Sequence, residues 1–92
     1  MTFLDMLRSA STQNNSMLCV GLDPEPNRFP AGMRGDPRKI YDFCAAIVDS
    51  TADVACAFKP QIAYFAAHGA EDQLERLMQP MPGNAPHVPV LL

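Results

Sequence analysis

No stretch of this 92-residue sequence approaches the ~20 consecutive apolar residues that a membrane-spanning helix requires, so no membrane span is expected. Basic charge is also short. Seven Lys and Arg against ten Asp and Glu leave a net charge of −3, which offers no basic track for a phosphate backbone and argues against nucleic-acid binding. Paired cysteines are missing. Cys19, Cys44 and Cys56 are odd in number, widely spaced and set in apolar runs. They read as buried, unpaired thiols of a reducing compartment, since a disulfide framework or a zinc site needs closer, paired spacing. Charged residues make up only 18% against 48% hydrophobic, a balance that excludes a disordered tail. The N-terminus carries Asp5 and no long apolar core, so it does not read as a secretory signal, and a cytoplasmic protein is expected.

Several chemical signatures are absent too. Gly32-Met33-Arg34-Gly35 lacks the glycine spacing and the following Lys-Ser/Thr of a phosphate loop. His68 and His87 have no partner at ligand spacing, so no metal site is expected. Ser16 and Ser50 lack the context of a strand-to-helix nucleophile turn. Arg28 and Arg34 read as solvated loop residues, and no sequence repeat is visible.

What is present is punctuation and pattern. There are nine prolines, roughly twice the usual ~5% share; all but Pro60 cluster at 24–37 and 80–89 and separate the periodic segments. Thr2 to about Thr12 reads as a short helix with Thr2 and Asp5 as a capping box and Phe3, Leu4 and Leu7 as its apolar face. Met17 to Leu22 is a continuous apolar run, the pattern of a strand buried on both faces, and it stops at Asp23-Pro24. Residues 24–36 read as a long loop. Asp36-Pro37 is a helix start, followed by Ile40, Tyr41, Cys44, Ile47 and Val48 at helical spacing to about Ala52. Val54 to Phe58 is a second apolar run that stops at Lys59-Pro60. A helical turn over 61–67 closed by Gly69 follows, then a helix from Glu71 to about Gln79 with Leu74, Leu77 and Met78 inward. Pro80 and Pro82 end that helix, and His87 to Leu92 reads as a third strand.

Strands alternating with helices predict an α/β fold with about three parallel strands and right-handed crossover helices. Parallel sheets need cover on both faces, and this chain supplies little of it. The expected architecture is therefore part of a larger structure such as a (β/α)8 barrel, which takes ~250 residues. Asp23 and Lys59 stand out for one reason: each sits at the carboxyl end of a predicted strand, immediately before a proline, where parallel α/β folds bind ligands. An acid and a base at that rim suit a pair of vicinal hydroxyls. The competing reading makes Asp23 a cap for the following turn and Lys59 a solvated loop residue.

Leu18-Cys19-Val20-Gly21-Leu22-Asp23-Pro24 and Phe58-Lys59-Pro60-Gln61-Ile62-Ala63-Tyr64-Phe65 resemble, in order and spacing, the two opening signatures of the longer bacterial type of orotidine 5′-phosphate decarboxylase. The likeness covers essentially residues 1–79. It implies a homodimeric (β/α)8 TIM barrel that converts orotidine 5′-phosphate to UMP and CO2 in pyrimidine synthesis, without metal or organic cofactor. By the same resemblance, Asp23 contacts the substrate ribose, and Lys59 bonds a ribose hydroxyl and joins the charge network under the reacting ring. The family's proton-donating lysine belongs to an Asp-x-Lys-x-x-Asp run after the third strand. No such run occurs here, so residues 1–92 are expected to be an N-terminal fragment of the barrel domain, inactive alone. Pro80 and Pro82 also depart from the family pattern, in which the helix continues. The alternative is a non-catalytic α/β fragment that acts only through self-association or partner binding.

Overall fold

A computed structural model describes residues 2–79 and 88–90. Helix α1, Phe3–Gln13, begins with the capping box that the sequence predicts: the Thr2 hydroxyl accepts from the Asp5 N–H, and the Asp5 carboxylate accepts from the Thr2 N–H. Its inward anchor is Ala10, fully buried, while Phe3 and Leu4 remain exposed. Strand β1, Cys19–Leu22, runs parallel to β2, Ala57–Pro60, pairing Cys19 with Ala57 and Gly21 with Lys59. Helix α2, Ile40–Thr51, crosses between them. A 3-10 turn, Pro37–Lys39, precedes it, and Asp36 caps that turn by accepting from the Arg38 N–H. The short α3, Ile62–Ala66, and α4, Glu71–Leu77, complete the described elements, with Gly69 at φ 60 making the left-handed turn between them.

One core joins these pieces. Leu22 and Phe58 from the sheet meet Ile40, Cys44 and Val48 from α2, Phe65 from α3, and Leu74 and Leu77 from α4. The helical stripe on α2 therefore packs as its spacing predicts. Phe29 also enters the core from the proline-rich segment, its ring stacked 4.3 Å from Phe43. That segment is thus not a plain loop; a 3-10 turn, Pro26–Arg28, folds it inward.

Four expectations need correction. The strand β1 is shorter than 17–22 and is covered on one face only. Leu22 is buried and Val20 half-buried, whereas Cys19 and Gly21 are exposed, because α1 borders that second face across a cavity beside Cys19 and does not pack down on it. Cys19 is consequently an exposed thiol, while Cys44 and Cys56 are buried, and all three are free. The second strand begins three residues later than the apolar run and ends two residues beyond it. Val54 belongs to the turn after α2 and is exposed, and Lys59 and Pro60 are inside the ladder. Met78 falls just beyond α4 and is exposed. Among the described residues the sheet has two strands, with residues 88–90 adding a single parallel bridge from Phe58 to Val90. Residues 87, 91 and 92 of the expected third strand, and Pro80, Met81 and Pro82, lie outside the described residues.

Proline inside a strand normally removes a ladder hydrogen bond. Here the backbone alternation makes it harmless. The Phe58 N–H donates away from β1, to the Pro89 carbonyl, and the Gln61 N–H donates toward β1, to Leu22. Pro60, two residues after Phe58, presents its nitrogen to the side away from β1. The β1–β2 pairing loses nothing.

Candidate functional site at the carboxyl rim of the sheet

The two strands run the same way, so their carboxyl ends make one rim. Asp23 follows β1 directly, and Lys59 is the third residue of β2. Gly21 is the register partner of Lys59, and side chains two residues apart on a strand share a face. Gly21, Asp23 and Lys59 therefore share the open face, opposite the one that Leu22 and Phe58 bury against α2. The Asp23 carboxylate leans back over Gly21, with Oδ1 4.0 Å from where a Cβ on that glycine would sit.

Both side chains belong to exposed residues, and neither makes a hydrogen bond or an ion pair among the described residues. The reading of Asp23 as a cap for the next turn finds no support there, since the Pro26–Arg28 turn has no side-chain cap. Beside Asp23 a cavity of about 290 Å³ opens, lined by Glu25, Arg28, Phe29, Phe43 and Tyr64. Arg28 pairs with Glu25 at 3.1 Å. Behind the rim, burial first and then the Asp23 charge push the Cys44 thiol up to about 12, so it stays protonated at neutral pH.

The weaker candidates resolve into structural roles. Arg34 donates from Nε to the Phe29 carbonyl and holds the folded segment closed. The Ser16 hydroxyl bonds the Val54 carbonyl, and the Ser50 hydroxyl donates to Ala46. His68 is exposed on the turn before Gly69. Among the described residues no group of three His, Cys, Asp or Glu could hold a metal ion, and no helix is long and apolar enough to cross a membrane. Phe29 escaped the sequence reading, and Tyr64 entered it only within the resembling signature, without a role. The available signal for Phe29 was a lone aromatic between Pro26 and Pro30.

Across all 92 residues the chain is 76% identical to the orotidine 5′-phosphate decarboxylases of Paracidovorax citrulli and Verminephrobacter eiseniae. From end to end, the chain is similar to orotidine 5′-phosphate decarboxylase. It spans about a third of the length of the curated relatives it matches, 34% in both cases, and corresponds to an N-terminal portion of those decarboxylases. A crystal structure from Toxoplasma gondii, assigned as an orotidine-monophosphate decarboxylase, superposes on 96% of this chain with a TM-score of 0.80 at 31% identity. The match takes up 30% of that decarboxylase chain. No protein-family model matches the chain. Similarity to decarboxylases over every residue does not favour the non-catalytic alternative.

Proposed function

We propose that these residues form part of a (β/α)8 barrel that decarboxylates orotidine 5′-phosphate to UMP, and that Asp23 and Lys59 hold the ribose of that substrate. The reaction breaks the bond between C6 and the carboxyl carbon, leaves the electron pair on C6, releases CO2 and adds a proton at C6. Asp23 accepts from a ribose hydroxyl, and Lys59 donates to one. Neither touches the reacting carbon. Their contribution is remote binding energy, which orients the ring and is drawn on in the transition state. No cofactor is needed for this role. A cytoplasmic homodimer that binds neither nucleic acid nor membrane is the assembly that goes with this reading.

The observation that carries it is a pairing. An acid and a base stand on one open face of adjacent parallel strands, with no partner among the described residues. The chain that bears them is 76% identical to decarboxylases.

A chimera tests it. The segment of the Paracidovorax citrulli decarboxylase that these 92 residues match is replaced by them. The chimera is expected to turn over orotidine 5′-phosphate, with Lys59→Ala and Asp23→Ala each lowering kcat/KM by at least about tenfold, the cost of one charge-assisted hydrogen bond. A folded chimera without turnover, or one indifferent to both substitutions, refutes the assignment.

A further inference from the structure

The centre of the open face is occupied by a glycine that the protein's own structure does not require. Gly21 sits inside β1, where a residue without a side chain weakens the strand. Glycine is normally kept for one of two structural reasons. The first is a left-handed backbone, but Gly21 is not among the described residues with positive φ, which are Asn15, Gly32, Gly35 and Gly69. The second is a close approach by another part of the chain. Among the described residues, a Cβ on Gly21 would meet only Asp23 Oδ1, at 4.0 Å, an ordinary contact. Alanine fits without displacing anything.

What the missing side chain leaves is empty volume in a particular place. Gly21 is exposed and directly opposite Lys59 in the register, and Asp23 leans over it from two residues on. A carboxylate and an ammonium thus border a patch of bare backbone. We infer that Gly21 is a specificity-determining residue whose missing side chain holds open the space in which a nucleotide's sugar ring lies against the backbone between Asp23 and Lys59. The inference rests on the ribose-binding reading of those two residues and adds a steric condition to it. A branched side chain at position 21 projects into that space, separating the ring from both charged groups while leaving them in place. A methyl group takes up only part of it.

The test follows amide chemical shifts of the 92-residue chain as UMP is raised to high millimolar concentration, since two exposed contacts give only weak affinity. In the unaltered chain the shifts concentrate at Gly21, Asp23 and Lys59, and Asp23→Ala or Lys59→Ala abolishes them. Gly21→Val is expected to weaken binding at least about tenfold, and Gly21→Ala less, with neither substitution lowering the thermal midpoint. If Gly21→Val binds UMP as the unaltered chain does while the Asp23 and Lys59 variants do not, the steric role is wrong and the ribose site stands. If UMP causes no shifts, or shifts indifferent to Asp23 and Lys59, the site reading fails and this inference with it. A fall in thermal midpoint for Gly21→Ala shows the glycine to be structural and overturns the proposal.

Discussion

The Cys44 thiol is fully buried beneath the rim, and its ionisation is pushed from 9.0 to about 12 by burial and, secondarily, by the Asp23 charge. The consequence for stability has a definite sign. Between those two values the unfolded chain ionises this thiol and the folded chain does not, so alkali favours unfolding. Below the lower value both states hold the proton, and Cys44 contributes no pH dependence. The thermal midpoint of the chain should therefore fall as pH rises from 9.0 toward 12, and Cys44→Ala, though less stable at neutral pH, should show a shallower fall. An unchanged slope in that variant would contradict the assignment. A residue's surroundings decide this behaviour. Cys19 and Cys44 both lie in apolar stretches of sequence, yet one is exposed on the open face and the other is enclosed by α2 and the sheet.

Contacts between elements rest on a few polar side chains. Gln73 of α4 reaches the start of α2, where its Nε2 donates to the Pro37 carbonyl at 2.8 Å and its Oε1 accepts from the Tyr41 N–H at 2.7 Å. That N–H belongs to the first turn of α2, where a helix has no partner of its own. Arg76, one turn further along α4, places its guanidinium 4.0 Å from the centre of the Tyr41 ring. Gln73→Ala should cost about 1–3 kcal/mol in a urea titration, because it removes two hydrogen bonds between α4 and the start of α2, each worth about 0.5–1.5 kcal/mol. Arg76→Ala should cost about 0.5–1 kcal/mol. A smaller effect at Gln73 than at Arg76 would reverse the ranking argued here. Periodicity made the apolar stripe of α2 and the Asp36-Pro37 start readable, because those signals are local. Gln73 was not readable: its partners lie more than thirty residues away, and a glutamine on a helix resembles any solvated one.

At the scale of the molecule, the radius of gyration is 13.2 Å and the extents are 38 × 23 × 22 Å. A compact globule of this length would have a radius of gyration of about 12 Å. Between α1 and the open face lies an apolar cavity of about 520 Å³ that includes Phe3, Leu7, Met17, Cys19 and Ala57. The parallel direction of β1 and β2 was legible because helical segments alternate with apolar runs. Coverage of the faces was not, since an apolar run reports what a strand can bury and not what is there to bury it. That is why Met17 and Leu18 read as strand yet stand exposed. The 92 residues by themselves should not decarboxylate orotidine 5′-phosphate. Two charge-assisted hydrogen bonds at about 1.5–3 kcal/mol each are far too little for a transition state. The assay is loss of substrate absorbance with the purified chain, and turnover near that of a full-length relative would overturn the expectation.

The parallel register has a further consequence, in time. Gly21 and Lys59 are neighbours in space but as far apart in sequence as Asn14 and Ala52, which are 38 residues apart. Bringing such distant points together costs about 3 kcal/mol of chain entropy before any strand hydrogen bond forms. The helices, α2 among them, have local contacts and can form early. The Asn14 side chain, which donates to the carbonyls of Ala52 and Ala55 at 2.9 and 2.8 Å, fastens the two ends of that loop at the foot of the strands. Asp23 and Lys59 therefore face one another only after the loop has closed. Assembly of the rim and folding of the chain are one event, so a ligand that bridges the two residues would also act as a folding clamp.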